Sequence, residues 1–395
     1  MKLFQRLLVA PAAIGLLSPL ASNATEVDLN EISNFSEVEN LEIVNSFDKQ
    51  DKTSQLIAGG EGLVSDISSD SFSETTTASF SADMAIGAVD GDATGEAVGA
   101  VYGFQIDLNT SFTGEDSLDI SLDAGNGVAA NTTTASGTVT TWATALAELD
   151  FNTGGDGLTV DGVSYTFPVG DNMTAIVGDN TDGSALFTTA CAYGGPSNTL
   201  DDCGNVNAGI TNGGAMVGAS YDFNNGVTVA VGYAGPETGI MTDESLDAYG
   251  ANIAYTADNY GLSATYGNIE STAIVAAGEV DTFVALNAYY TFDNGMSVSA
   301  GYELGDLGGA PATTDESVNY FVGINGAVGA GELGAALGTS GGQREGTDEE
   351  LMYEVYYSYP VNDGMTITPL LYVKEQATAG TPDQTGIMVK TSFSF

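Results

Sequence analysis

Four carboxylates, Asp107, Asp119, Asp123 and Glu354, fall on the polar side of short alternating segments, and two ammonium groups, Lys374 and Lys390, fall on the polar side of two more. Carboxylates fixed on a strand face can do two kinds of chemistry. Set in pairs with shifted acidity they move protons, as in two-carboxylate glycoside hydrolysis; set around water they draw in cations and turn anions away. The chain carries 53 Asp and Glu against 7 Lys and Arg, no histidine and two cysteines, for a formal charge of -46. The usual nucleophile–base pairs are therefore missing, and close acid pairs arise by chance at this density, so an enzyme is disfavoured. The glycine-rich GAVGAGELG at 326–334 marks tight turns and not a phosphate loop, because no Lys-Ser or Lys-Thr follows it. Nucleic acid is excluded as a partner, since phosphate contacts need basic side chains. The same acidity also suits plain solubility or a salty habitat, and that reading stands beside the cation-favouring one.

Cys191 and Cys203 lie in ALFTTACAYGGPSNTLDDCGNV, a stretch rich in Gly, Ser, Asn and Asp. With no histidine and no further cysteine a zinc ion would lack ligands, so a loop-closing disulfide is expected in an exported chain. No cofactor is expected. Acidic runs such as Asp201-Asp202, Asp243-Glu244, Asp315-Glu316 and Asp348-Glu349-Glu350 could hold Ca²⁺ or Mg²⁺ loosely, and none has the spacing of a dedicated calcium loop. They sustain a second reading, a structural or surface-interaction barrel that bridges to neighbours through divalent cations.

The elements that would position these groups are strands. Residues 1–24 open with Lys2 and Arg6, continue apolar from Leu7 to Leu20 and end on the small-x-small triplet Ser22-Asn23-Ala24. This is the pattern of a secretory signal peptide, too short and too broken by Pro11, Gly15 and Pro19 to remain as a spanning helix. Residues 25–77 are acidic and read as a largely unstructured periplasmic lead-in with one short helix near Ser36. From 78 to 395 the apolar residues come in short alternating pieces among turn residues, which predicts one large barrel or sandwich.

Strands are predicted at 78–87, 97–113, 117–124, 158–167, 172–178, 215–223, 226–234, 247–257, 260–268, 281–293, 295–303, 317–327, 331–338, 351–360, 364–374 and 384–395. Short Asn-Gly and Asp-Gly turns such as NNG at 224–226 and DNG at 293–295 alternate with long loops. That is the connectivity of a transmembrane antiparallel up-and-down β-barrel, with tyrosines at the strand ends where aromatic girdles sit. The last strand places Thr385, Ile387, Val389, Thr391, Phe393 and Phe395 on one face, and Phe393 and Phe395 form the terminal aromatic signal of such barrels. One stretch breaks the count. TWATALAELDF at 141–151 would make a seventeenth strand, but Trp142, Leu146 and Leu149 follow helical spacing and the stretch is alanine-rich, so a short helix in a long loop is predicted and 16 strands remain. Trp142, Leu146, Glu148 and Asp150 are then candidates for a constriction folded into the barrel, although packing on the rim fits as well.

The signal peptide MKLFQRLLVAPAAIGLLSPLA together with DSFSETTTASFSA at 70–82, SFTGEDSLDISLDAGN at 111–126 and GLTVDGVSYTFPVGDNMTAIVGD at 157–179 resembles the porins of marine cyanobacteria, related to the carbohydrate-selective porin family. The resemblance implies a 16-stranded outer-membrane porin that often forms a homotrimer, embedded among lipid and lipopolysaccharide. Many members carry a surface-layer-homology module before the barrel; none is found between Thr25 and Thr77, so anchoring to cell-wall polymer is not implied. The expected function is passive diffusion of small hydrophilic solutes, cations or neutral molecules such as sugars, with Asp107, Asp119, Asp123, Glu354, Lys374 and Lys390 lining the pore.

Overall fold

The structure is a computed structural model that describes residues 75–91, 98–127, 132–134, 137–139, 146, 148–149, 151, 155–211, 214–238, 240–241, 246–270, 280–308, 310, 314–340, 343–376 and 382–395. The expectations for 1–24 and for 25–74 fall outside these residues, as do Trp142 and Asp150. The first strand starts at Thr76, two residues ahead of the boundary drawn from the sequence.

In chain order the strands are β1 (Thr76–Asp90), β2 (Gly99–Thr110), β3 (Ser117–Gly125), β4 (Thr132–Thr134), β5 (Gly137–Val139), β6 (Gly155–Val169), β7 (Met173–Asp179), β8 (Ala215–Asp222), β9 (Val227–Gly235) and β10 (Ala248–Thr256). They continue with β11 (Tyr260–Glu270), β12 (Val280–Thr291), β13 (Ser297–Leu307), β14 (Glu316–Val328), β15 (Gly331–Thr339), β16 (Gln343–Arg344), β17 (Leu351–Asn362), β18 (Met365–Lys374) and β19 (Gln384–Ser394). The hairpin β4–β5 stands apart, and the two-residue β16 pairs only with β14. The remaining 16 strands form a closed antiparallel up-and-down ring in which every strand pairs with its neighbours in sequence.

The ring closes where β1 meets β19, from Ser81 opposite Ser394 to Asp90 opposite Thr385. Phe80 and the C-terminal Phe395 exchange both backbone hydrogen bonds at 3.0 Å and stack their rings 5.8 Å apart, so the last residue completes the seam. Closure matters physically because an open edge would leave a row of peptide groups unpaired in an apolar surround.

Alternation then decides what faces outward. Ile253, Leu262, Val284, Leu286, Leu304 and Val322 are large apolar side chains that stand exposed on the outer face. Their strand neighbours Asn252, Ser263, Ala285, Asn287, Glu303 and Phe321 are buried on the inner face. A barrel with an apolar outside and a polar inside is inverted relative to a water-soluble one, which is the arrangement that suits a lipid surround. Rings cluster near the short-turn rim, as in the edge-on pairs Tyr221–Phe223 and Tyr290–Phe292.

Turns follow local chemistry. At the β8–β9 corner Asn224 takes φ 57 and its amide donates to Asp222 Oδ1 at 2.7 Å, so two asparagine-type residues fold the chain back in place of a longer loop. At the β2–β3 corner Asp116 gathers the corner: its Oδ1 accepts from the Thr113 amide (2.7 Å), the Thr113 hydroxyl (2.7 Å), the Phe112 amide (3.0 Å) and the Ser111 hydroxyl (2.8 Å), and its Oδ2 accepts from the Tyr165 phenol (2.7 Å). Burial opposes its charge, yet these donors outweigh it and hold the carboxyl well below the usual carboxylate range.

Candidate functional site

The inner face of the ring is divided into two kinds of wall. On β2 and β3 the inward positions carry Gln105, Asp107, Asn109, Asp119, Ser121 and Asp123, all reachable by solvent. Asp107 accepts from Gln105 Nε2 and the Ser121 hydroxyl, both at 2.8 Å; Asp119 accepts from the Ser117 hydroxyl at 2.8 Å and from Asn109; Asp123 accepts from the Thr159 hydroxyl at 2.9 Å. The donors are all neutral. Each acid is thus oriented by a cross-strand or same-strand neighbour, with no counter-ion among the described residues.

This acidic wall continues onto the loops. Asp161 occupies a bulge in β6, where the register against β3 shifts, and it feels the charges of Asp123 and Asp107. Asp182 lies next to Asp161, and protein crowding followed by that charge raises its carboxyl. Asp202 is exposed too, but crowding by surrounding protein, then the charges of Asp201, Glu303 and Asp182, push it up to about 7. The acids therefore form a connected track from the wall of β2 and β3 to the loop that follows β7.

That loop, residues 180–211, builds the other kind of wall. It turns into the barrel and lays its backbone over the inner face. The Thr188 amide donates to Asn252 Oδ1 (3.0 Å) on β10, the Ala190 amide to Ser263 Oγ (2.9 Å) on β11, the Ala192 amide to Ser299 Oγ (2.9 Å) on β13, and the Tyr193 phenol to Glu354 Oε1 (2.6 Å) on β17. On the return path Asn287 Nδ2 of β12 donates to the Cys203 carbonyl (2.8 Å), while the Asn207 and Ala208 amides both donate to Glu303 Oε2 (2.8 Å). Cys191 and Cys203 are joined by a disulfide that cross-links the two runs. The approach is close enough that side chains are forbidden beneath it: a Cβ on Gly301 would lie 1.8 Å from the Cys203 carbonyl oxygen, and one on Gly232 would lie 1.8 Å from that of Gly183.

A dry core fills the rest of this side. Leu200 and Tyr193 of the loop pack with Phe321, Met352, Tyr356, Leu370, Tyr372 and Met388 of the wall, and the cluster runs on to Leu146, Leu149 and Phe151. Tyr193 sits 5.2 Å from the Phe321 ring and 5.8 Å from that of Tyr356. Burial and the adjoining Glu354 charge raise its phenol far above the ordinary tyrosine value.

The sequence-derived candidates separate accordingly. Asp107, Asp119 and Asp123 face the lumen on the open wall. Glu354 also points inward, but at 2% exposure it lies beneath the inserted loop, bonded to Tyr193, and does not line an open passage. Lys374 Nζ donates to Glu148 Oε1 (2.6 Å) and to the Thr199 hydroxyl (3.2 Å), and the Asn198 amide donates to the Glu148 carbonyl (2.8 Å). Its charge therefore fastens Glu148 to the 180–211 loop and is not presented to the lumen. Lys390 pairs with Asp83 at 3.3 Å and lies 5.8 Å from the centre of the Phe151 ring. Phe395 occupies the seam with Phe80, and Phe393 stands opposite Ala82 on the outward face.

Of the stretch expected to be an α-helix, the described Leu146, Glu148 and Leu149 take the tighter 3₁₀ conformation. Three residues per turn put Leu146 and Leu149 on one side, and both are buried in the core inside the barrel, which is what the i, i+3 spacing signals while leaving the helix type open. No signal within residues 180–211 themselves marks this loop as a lumen element. Its trace in the sequence lies on the wall: Asn252, Ser263, Asn287, Ser299 and Asn319 are short neutral polar side chains interleaved with glycine, a face suited to a second layer of backbone. Among the described residues no group of three or more His, Cys, Asp and Glu is arranged to hold a metal ion, and no helix is long and apolar enough to cross a membrane.

No protein-family model and no curated protein matches the chain. Solved structures do. An engineered single-tryptophan variant of the porin of Rhodopseudomonas blastica is 16% identical, with a TM-score of 0.54, covering 81% of this chain and 100% of that one. A triple mutant of the same porin is 15% identical with a TM-score of 0.51 and the same coverage. A third structure, described by its work on the asymmetric conductivity of engineered proteins, is 14% identical with a TM-score of 0.51, again over 81% and 100%. At these identities the likeness is one of fold.

Proposed function

We propose that this chain is a non-enzymatic outer-membrane channel for passive diffusion of small hydrophilic solutes, passing cations and neutral molecules in preference to anions. The observation that carries the reading is the track of Asp107, Asp123, Asp161, Asp182 and Asp202, running from the wall of β2 and β3 to the inserted loop of a 16-stranded ring and facing no free cation among the described residues. Lys374 and Lys390, the inward-facing bases described, are each consumed by a carboxylate. Water in such a lumen sees net negative potential, so cations gather and anions are depleted.

The apolar outer face supports a place in lipid, and the closed barrel, together with the signal-peptide pattern of residues 1–24, supports the outer membrane of a Gram-negative-type bacterium. A homotrimer, with sugars among the neutral solutes, is the assembly and cargo that the resemblance to cyanobacterial porins adds. Reconstitution in a planar bilayer under a salt gradient tests the core of the reading: a reversal potential of cation-selective sign is expected, and an anion-selective sign refutes it. Addition of sugars to both chambers is expected to lower the conductance by entering the pore.

A further inference from the structure

The groups holding the inserted loop are unequal. Most of its contacts are single hydrogen bonds to side chains of neutral residues, each worth about 1 kcal/mol net. Glu303 differs. Its carboxylate is fully buried at the centre of β13 and accepts four hydrogen bonds: Oε2 from the Asn207 and Ala208 amides, Oε1 from Asn207 Nδ2 (2.8 Å) and from Asn319 Nδ2 (2.9 Å) of the neighbouring strand β14. Three of the four donors belong to the loop. Asn319 is itself held by the Thr339 hydroxyl, which donates to its Oδ1 at 3.2 Å, so the amide is aimed at Glu303 by β15. Next to this site Asn287 grips the Cys203 carbonyl and Gly301 leaves room for it.

We propose that Glu303 is the positioning residue that clamps the returning half of the 180–211 loop to the wall and thereby sets the bore of the channel. The inference rests on the channel reading above, and it adds which residue fixes the passage. A wall that merely needed a polar filler would hold a neutral side chain here, as it does at Asn252, Ser263 and Ser299. A carboxylate with every acceptor site directed at loop and supporting amide is a latch: withdrawing the loop would strip three donors from a buried acid, and the cost of that keeps the loop seated. The disulfide joins Cys203, four residues before Asn207, to Cys191, so the clamp on one run restrains the other as well. Asp202 lies on the same run, so the loop end of the acidic track is placed by the same contact.

The test uses the mature protein in detergent micelles and in planar bilayers, with Glu303→Gln, Asn207→Asp and their combination. Glu303→Gln presents an amide nitrogen to donors, and Asn207→Asp presents a second carboxylate to Glu303 while leaving every strand unchanged. For either single variant, amides in 203–208 are expected to exchange with deuterium at least about tenfold faster, the factor corresponding to 1.4 kcal/mol. Single-channel conductance and the largest polyethylene glycol that enters are both expected to rise. In the combination the glutamine amide introduced on β13 can donate to the carboxylate introduced on the loop, and partial recovery of slow exchange and small bore is expected. Glu332→Gln is the control, because Glu332 accepts from Tyr356 of the adjacent strand at 2.7 Å and not from the loop; it is expected to leave exchange in 203–208 unchanged. Unchanged exchange in both single variants overturns the clamp. Faster exchange with an unchanged size limit in a conducting channel overturns the control of bore. Absence of conductance in the unaltered protein refutes the channel reading, and with it the bore, while the exchange rates still decide the clamp.

Discussion

The wall of β2 and β3 and the wall of β10 to β17 are built on the same rule, apolar outward and polar inward, yet they treat an inward carboxylate in opposite ways. On the first, Asp107, Asp119 and Asp123 are steadied by one or two neutral donors each and remain open to solvent. On the second, Glu303 and Glu354 are covered by a second layer of chain and spend their charge on holding it. The difference lies in what faces each acid: neutral side chains of the same and adjacent strands on the open wall, and the inserted 180–211 loop, admitted by glycine and short polar residues, on the covered one. An inward-facing acid is therefore not by itself a pore acid, and coverage decides which it is.

The most severe challenge to this contrast is to neutralise the open wall. The triple variant Asp107→Asn, Asp119→Asn, Asp123→Asn is expected to abolish most of the cation preference, since a unit charge about 4 Å from an ion in water is worth about 1 kcal/mol, or roughly a fivefold bias for each acid before screening. The measurement is the permeability ratio from reversal potentials at low salt. A ratio equal to that of the unaltered channel would show that the acids of the open wall do not set the selectivity.

Acidification is expected to have the next largest effect. Asp202 has its carboxyl raised to about 7, so it is charged at pH 8 and loses that charge as pH falls through about 7. Cation selectivity should therefore decline between pH 8 and pH 6, well above the range in which ordinary carboxylates titrate. In Asp202→Asn the decline over this interval should vanish, and a pH response that survives the substitution would assign it elsewhere.

Lys374→Met probes the seam between the two lumen segments. It removes the ammonium that Glu148 and Thr199 share and leaves the acid only the Thr199 hydroxyl (2.6 Å), and a partly buried acid stripped of its cation is destabilising. The current is expected to become noisier and the thermal midpoint to fall by a few degrees, read by recording at fixed voltage and by circular dichroism. The smallest effect is expected for Glu354→Gln. The Gln carbonyl still accepts from Tyr193, and the removed charge lies beneath the loop, so the reversal potential should stay within measurement error of the original. A shift as large as that from Asp123→Asn alone would show that the covered wall is open after all.

The alternation of small polar and apolar residues makes every strand of the ring legible, because the two environments of a barrel wall are written at a period of two residues. The open wall is legible for the same reason: Asp119 and Asp123 alternate with Leu118, Ile120 and Leu122 in one short segment. The covered wall is not, because its meaning depends on contacts between residues far apart. Nothing local to Glu303 announces Asn207, 96 positions earlier. The segment around Cys191 is rich in Gly, Ser and Asn and has the composition of a solvent-exposed loop, and its burial comes from the wall it lies on. Alternation puts Glu354 and Lys374 on the correct face, but their partners Tyr193 and Glu148 emerge only once both lumen segments are traced. The 146–149 stretch carries a true signal of burial whose spacing suits an α-helix and a 3₁₀ turn alike.

A chain this poor in bases still satisfies many of its acids, and it does so through phenols. Tyr102 donates to Asp156 (2.6 Å), Tyr165 to Asp116 (2.7 Å), Tyr320 to Glu349 (2.6 Å), Tyr356 to Glu332 (2.7 Å) and Tyr233 to Asp247. Ion pairs at a rim weaken as dissolved salt screens them. A phenol brings no net charge to screen, so this stitching is far less sensitive to dissolved salt and answers instead to protons, which would take the acceptor away.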